Sequence, residues 1–207
     1  MTKTVFVPTS GSISDWKPVK EMFEKRGWEV ETDHNEAGKL NEFGRLNLVC
    51  FTGGSDVSPH LYGEENISSY NDPIRDEYEQ DLYEEFTSIP KVGICRGGQF
   101  LNVMNGGKLI QHLGKTLSGD VVISGPNYTG PVRVDHHQGI IRSENNFAKG
   151  KYRLIDLRED NSIRNENSPE YVLYYPKTRS LCFQPHPEWG HKETEDLFFD
   201  LIEEYLI

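Results

Sequence analysis

Along the chain, short apolar runs first alternate with amphipathic stretches and later follow one another directly, broken by Gly, Asn and Pro. TVFVP, from Thr4 to Pro8, is β-branched and aromatic and predicts a strand. Asp15 then opens a helix that carries Trp16, Val19, Met22 and Phe23 on one face and stops at Gly27. WEVET, from Trp28, predicts the next strand. LNLVCFTGG, from Leu46, is almost continuously apolar up to two glycines, the pattern of a parallel strand buried on both faces. After a loop from Ser55 to Asn71, Asp72 and Pro73 supply an N-cap and first-turn proline for a helix through Phe86. Pro90 parts that helix from the strand KVGIC. The second half differs: VVISG, PVRVDHH, YRLIDL, YVLYYP and SLCFQPH read as short strands, and an amphipathic helix runs from Lys192 to Leu206. This order predicts an α/β three-layer sandwich, its sheet parallel at the centre with antiparallel additions in the C-terminal half, as one domain over residues 1–207.

Composition narrows the function classes. Charged residues make up 27% and hydrophobic residues 35%, ordinary for a soluble enzyme. No apolar run approaches the roughly 20 residues of a spanning helix, and MTKTVFVPTSG has no signal-peptide core, so a cytoplasmic protein without a membrane partner is expected. A net charge of −11 with no Lys/Arg cluster repels phosphate backbones and argues against nucleic acid. The three cysteines, Cys50, Cys95 and Cys182, show no CxxC spacing, which suits free thiols in a reducing compartment rather than a disulfide framework or a zinc knuckle.

One cysteine stands apart. Ligands and reacting groups in open α/β sheets gather beyond the carboxyl ends of the central strands, and Cys95 ends KVGIC there. Gly93 and Gly97 remove the Cβ atoms that would obstruct a sharp strand-to-helix turn, the steric demand also met by G-x-S-x-G. The helix starting beside the sulfur favours thiolate through its free N–H groups and dipole, and Arg96 is expected to add to that field. Cys50 and Cys182, inside LVCF and LCF, read as core. A cysteine nucleophile needs a base and the base an orienting group. In HPEW, His186 lies at the end of the strand SLCFQ, and Glu188, two residues on, falls on the same side of an extended chain. Gly53 and Gly54 end the neighbouring strand, where backbone can approach a ligand closely and supply an oxyanion donor. Adjacent His136 and His137 in DHHQ point opposite ways on a strand, so a metal site is not expected; one of the pair is placed at the substrate rim. Composition makes Arg75 and Asp76 a charge pair on a helix surface.

GICRGGQFLNVMNGGKLIQ with HPEW downstream resembles the class I glutamine amidotransferase-like family, of flavodoxin-like fold. FTGGSDVSPHLYGE, RDEYE and DHHQ are similar to its γ-glutamyl hydrolase branch, in particular the peptidase-type γ-glutamyl-amine hydrolases. The resemblance implies Cys95 as nucleophile, His186 as base and acid and Glu188 as orienter. It further implies an oxyanion hole from the N–H groups of Gly54 and Arg96, with Gln99 facing the glutamyl portion and His136 beside the substrate. No cofactor is required. The implied partner is a small γ-glutamyl substrate, with room left for a homo-oligomer. The alternative is a glutaminase subunit delivering ammonia to a separate synthetase, and no ATP-binding G-x-x-x-x-G-K-[ST] motif is present in this sequence. A catalytically idle binding module is disfavoured, because all three catalytic positions are filled. Departures from the family pattern are Gly98, where a bulky residue is usual, and Pro185, where an aromatic is usual. Gly98 is expected to widen the pocket, and it, the Ser55–Asn71 loop and Asp135–Gln138 are expected to border the leaving amine.

Overall fold

The computed structural model describes residues 2–154 and 169–207. The first half runs β1 (Thr4–Phe6), α1 (Ile13–Lys25), β2 (Glu29–Glu31), α2 (His34–Glu42), β3 (Leu48–Phe51), α3 (Pro73–Glu85), β4 (Lys91–Ile94) and α4 (Arg96–Met104). The second half runs β5 (Lys108–Ile110), β6 (Leu117–Ser124), β7 (Thr129–His136), β8 (Gly139–Ile141), β9 (Lys149–Leu154), β10 (Glu170–Tyr175), β11 (Ser180–Phe183) and α5 (Lys192–Tyr205). One mixed sheet follows the path β2-β1-β3-β4-β11-β10-β9-β6-β7. The strands from β2 to β11 in that path are parallel, and β10, β9, β6 and β7 add antiparallel. The small β5/β8 pair joins at the side of β10. The predicted architecture is therefore the observed one. Of YRLIDL, Ile155 to Leu157 lie outside the described residues.

Two buried clusters define the layers. On one face Val19, Met22 and Phe23 of α1 meet Phe198, Leu201 and Ile202 of α5 over Val5, Cys50 and Phe183. On the other, Ala37 of α2, Leu82 of α3 and Phe100 and Leu101 of α4 cover Phe6, Val49 and Cys182. The ring of Phe23 meets Trp28, Phe198 and Phe199 edge-on at 5.3–6.0 Å, and burying a side chain of this kind contributes about 1.5–3 kcal/mol. Cys50 and Cys182 are fully buried on opposite faces, as their settings predicted, and burial pushes both thiols up.

The sequence reading does not include strands β5 and β8, and three helices differ from it. Helix α2 carries only Ala37 as a buried residue and has Gly38 inside it, so no apolar stripe announces it; the Asp33 side chain caps it by accepting from the Glu36 N–H at 3.1 Å. Helix α1 starts at Ile13, and Asp15 sits in its first turn, accepting from the Ser12 N–H at 2.8 Å.

Helix α3 also differs. Arg75, Asp76 and Glu79 are not a surface charge row but 3%, 1% and 0% exposed. The Arg75 Nε donates to Glu79 at 2.8 Å, and the Arg96 guanidinium donates to both Asp76 and Glu79. Burial alone would push the Glu79 carboxyl up, but the Arg96 and Arg75 guanidiniums outweigh it and hold it below the usual carboxylate range.

Candidate active site

The parallel strands β3, β4 and β11 are neighbours and end at the same edge. Gly53 and Gly54 follow the first, Cys95 the second, and Gln184 to Glu188 the third. A cleft of about 220 Å³ opens there, lined by Gly53, Gly54, Cys95, His186 and Glu188 together with Ser14, Asp15, Asp135 and Trp189. Topology alone thus gathers the residues that the motifs singled out from three distant parts of the chain.

Cys95 turns the chain with φ 49° and ψ −108°, a left-handed conformation for a residue with a side chain. Such backbone costs on the order of 1–3 kcal/mol and persists only where its surroundings enforce it. Here they do: a Cβ on Gly93 would lie 2.2 Å from the Gly97 carbonyl, and one on Gly97 would lie 2.2 Å from the Phe51 oxygen. The Cys95 N–H donates to the Phe183 oxygen at 2.7 Å, and α4 begins at the next residue. The Arg96 N–H, first in that helix, has no intrahelical acceptor. Gly54, at φ 128°, brings its own backbone to the cleft wall.

His186 is 6% exposed, and its Nδ1 meets the Glu188 Oε1 at 2.6 Å. Its ring stacks on Trp189 at 3.9 Å and 7°, and its Cε1 lies 3.3 Å from the place a Gly53 Cβ would take. That leaves Nε2 free of Glu188, with the Cys95 side chain lining the same cleft. Burial by itself would lower the His186 pKa. The Cys95 sulfur on one side and the Glu188 carboxylate on the other reverse this and raise it to about 11. The second Glu188 oxygen is buried and has no partner among the described residues. The trio is arranged for nucleophilic attack with proton transfer: a sulfur at a helix start, an imidazole beside it, and a carboxylate fixing the far nitrogen.

The remaining expectations fare differently. The Arg96 guanidinium does not reinforce the field at the sulfur; Asp76 and Glu79 hold it inside the protein at 1% exposure, because they offer it two buried carboxylates. Gln99 does not line the cleft: it is 3% exposed and donates to the Gln184 Oε1 at 3.1 Å. His136 is not at a rim but buried, its Nδ1 2.7 Å from the Gln138 carbonyl oxygen and its ring edge-on to Tyr171. Burial lowers its pKa to about 4, so the ring is neutral at pH 7. His137 points the other way, its Nε2 3.1 Å from Asp56. A Cβ on Gly98 would lie 2.8 Å from the Phe183 nitrogen, so this glycine lets α4 press against β11 rather than widening a pocket. Of the three segments expected around the leaving amine, only Asp135 lines the cleft.

Sequence reasoning missed Ser14, Asp15 and Trp189. Trp189 carried a signal, following the His-Pro-Glu directly; Ser14 and Asp15 gave none beyond a helix start. Asp15 is also 3.7 Å from the Arg75 guanidinium, which ties the cleft wall to the buried charge network. Among the described residues no three His, Cys, Asp or Glu side chains converge as a metal would need. No helix among them is long and apolar enough to cross a membrane.

Comparison with known proteins bears on the family and the fold. The peptidase C26 family model matches residues 31–149, which include Gly53, Gly54 and Cys95 but not His186 or Glu188. A homologue of the glutamine amidotransferase-like protein YvdE from Lactococcus lactis subsp. cremoris is 39% identical over 106 residues, 49% of this chain and 55% of that protein. YvdE of Lactococcus lactis subsp. lactis is 44% identical over 77 residues, 35% and 33% of the two chains. This chain thus matches only about a third to a half of the length of these relatives. Among solved structures, a glutamine amidotransferase from Thermotoga maritima aligns with a TM-score of 0.62 at 19% identity over 99% of this chain and 85% of that one. PurLQS from the same organism aligns at 0.66 and 16% over 99% of each. The fold is that of the class I glutamine amidotransferases. With its family model matched over more than half of the sequence and the glycine turn at Cys95 inside the match, the chain belongs to the peptidase C26 family.

Proposed function

We propose that this protein is a cysteine hydrolase that cleaves the γ-glutamyl amide bond of a small γ-glutamyl compound. The observation that carries the reading is the Cys95, His186 and Glu188 arrangement in one cleft beside the Gly54 backbone. The thiolate of Cys95 attacks the γ-carbonyl carbon while the Gly54 and Arg96 N–H groups receive the developing oxyanion, each worth about 3–4 kcal/mol in such sites. The imidazolium of His186 gives its proton to the departing amine as the C–N bond breaks, leaving a γ-glutamyl thioester on Cys95. His186, now neutral and held by Glu188, takes a proton from water. The hydroxide adds to the thioester carbonyl, glutamate leaves, and the thiolate returns.

A second reading, a glutaminase subunit that hands ammonia to a separate synthetase, is favoured by the amidotransferase-like names of the curated relatives. A glutaminase needs room only for an NH₂ on the leaving side, whereas a hydrolase must seat the amine itself. Asp15, Asp135 and the exposed Trp189 give the cleft a wall for such a group. The test is glutamate release by the purified chain, alone and without ATP, from glutamine and from γ-glutamyl amides of larger amines. The proposal expects a higher kcat/KM for an extended amide than for glutamine. Glutamine preferred over every extended amide, with turnover rising on addition of a synthetase, would establish the second reading instead.

A further inference from the structure

The displacement of Gln99 from the cleft leads to a role for a residue that the motifs did not single out. Gln184 follows β11, is 1% exposed, and is fixed by its N–H donating to the Tyr171 oxygen at 2.9 Å. Its side-chain Nε2 lies 3.5 Å from the Cys95 Sγ, and its Oε1 accepts from the Gln99 Nε2 at 3.1 Å. Gln99 is itself anchored one turn along α4, where its N–H donates to the Cys95 carbonyl at 3.0 Å.

The order of these contacts is directional. With the Gln99 NH₂ donating to its Oε1, the Gln184 amide presents its own NH₂ to the sulfur. A thiolate accepts such a donor, whereas a thiol must send its own S–H elsewhere, and the Asp135 carbonyl oxygen lies 3.8 Å from Sγ to take it. The other ionisable groups around the sulfur do not duplicate this contact. His186 approaches from the segment after β11 with Glu188 behind it, and His136 on β7 is neutral at pH 7. Asp15 of α1 and Asp135 of β7 bring carboxylates to the cleft, and the Arg96 guanidinium is turned into α3.

Resting on the reading of Cys95 as the nucleophile, we propose that Gln184, aligned by Gln99, is a standing hydrogen-bond donor to Cys95 Sγ that stabilises its thiolate form. The helix start and the imidazole then share the task with a neutral amide that stays in place whatever the protonation state of His186. The test is the pH dependence of Cys95 alkylation by iodoacetamide, followed by peptide mass mapping in the wild type and in Gln184→Met, Gln184→Glu and Gln99→Leu. Losing a hydrogen bond to a charged group in Gln184→Met should move the half-maximal pH of alkylation up by about one unit. Gln184→Glu should move it further, since a carboxylate faces the sulfur. Gln99→Leu, which frees the Gln184 amide to turn over, should move it part of the way, and it serves as the test if the Gln184 variants do not fold. A role in packing alone would lower thermal stability without moving the midpoint, and midpoints equal to the wild type in folded Gln184→Met and Gln99→Leu would overturn the proposal. Wild-type Cys95 labelling no faster than the buried Cys50 and Cys182 would instead overturn the nucleophile reading on which it rests.

Discussion

Glu79→Leu tests whether the charged residues beneath the cleft form a dry network. In the native protein Glu79 is fully buried and faces two guanidiniums, those of Arg75 and Arg96. Removing the carboxylate leaves both cations in the interior with Asp76 and Asp15 as their remaining carboxylates among the described residues. Breaking a buried pair by deleting one partner costs about 3–5 kcal/mol. In a chain of this size 1 kcal/mol moves Tm by about 2–4 °C, so the expected fall is about 6–20 °C by circular dichroism. Arg75→Met should also destabilise, and the double variant should lose less than the sum of the two, giving a coupling energy of about 1–3 kcal/mol. The pH dependence carries a sign. The Glu79 pKa is depressed in the folded state, so its contribution is present above the unfolded value of about 4.3 and is lost as pH falls through the folded one. Acidification should therefore cost the wild type more stability than Glu79→Leu, and the two curves should converge in acid. A variant within about 1 kcal/mol of the wild type at pH 7, with a parallel acid limb, would refute the network. The same change should lower activity, since the Arg75 Nη2 donates to the Thr52 oxygen at 3.1 Å, two residues before Gly54.

Further substitutions probe the site and the helices around it. Gly97→Ala places a Cβ 2.2 Å from the Phe51 carbonyl oxygen, a backbone atom that cannot turn aside; the shift of α4 should cost about 1–3 kcal/mol and about 100-fold in hydrolysis. Gly38→Ala in α2, whose nearest neighbour would be the Glu85 side chain at 3.5 Å, should instead raise Tm slightly in the same melting assay. Cys95→Ala and His186→Ala should abolish glutamate release, whereas Glu188→Ala, which removes only the group bonded to the far ring nitrogen, should lose about 10⁴-fold and keep a measurable remainder. A folded Glu188→Ala as inactive as Cys95→Ala would give Glu188 a direct part in the chemistry.

The parts legible in the sequence are those with a local physical cause. Gly93 and Gly97 announced the turn at Cys95 because a Cβ at either position collides with backbone. The spacing of His186 and Glu188 announced their contact, although Pro187–Trp189 form a 3-10 turn where an extended chain was expected. The continuous apolar run at Leu48–Phe51 announced a central strand. What was not legible depends on partners far along the chain. RDEYE reads as a solvated face until Arg96, from the start of another helix, supplies the second buried cation. Gln99 sits at the spacing of a substrate contact, and only the docking of β11 against α4 shows that Gln184 occupies its amide. Helix α2 has too few apolar residues to show a period and is held by its cap and by packing around Ala37.

The central claim is that Cys95 carries the γ-glutamyl group through a thioester. It is tested most directly by quenching the purified chain in acid during turnover of a γ-glutamyl amide and mapping its peptides by mass. The account predicts one γ-glutamyl group on the peptide bearing Cys95, absent from Cys95→Ala. Glutamate release at the wild-type rate with no adduct on that peptide, or release that persists in Cys95→Ala, would contradict it.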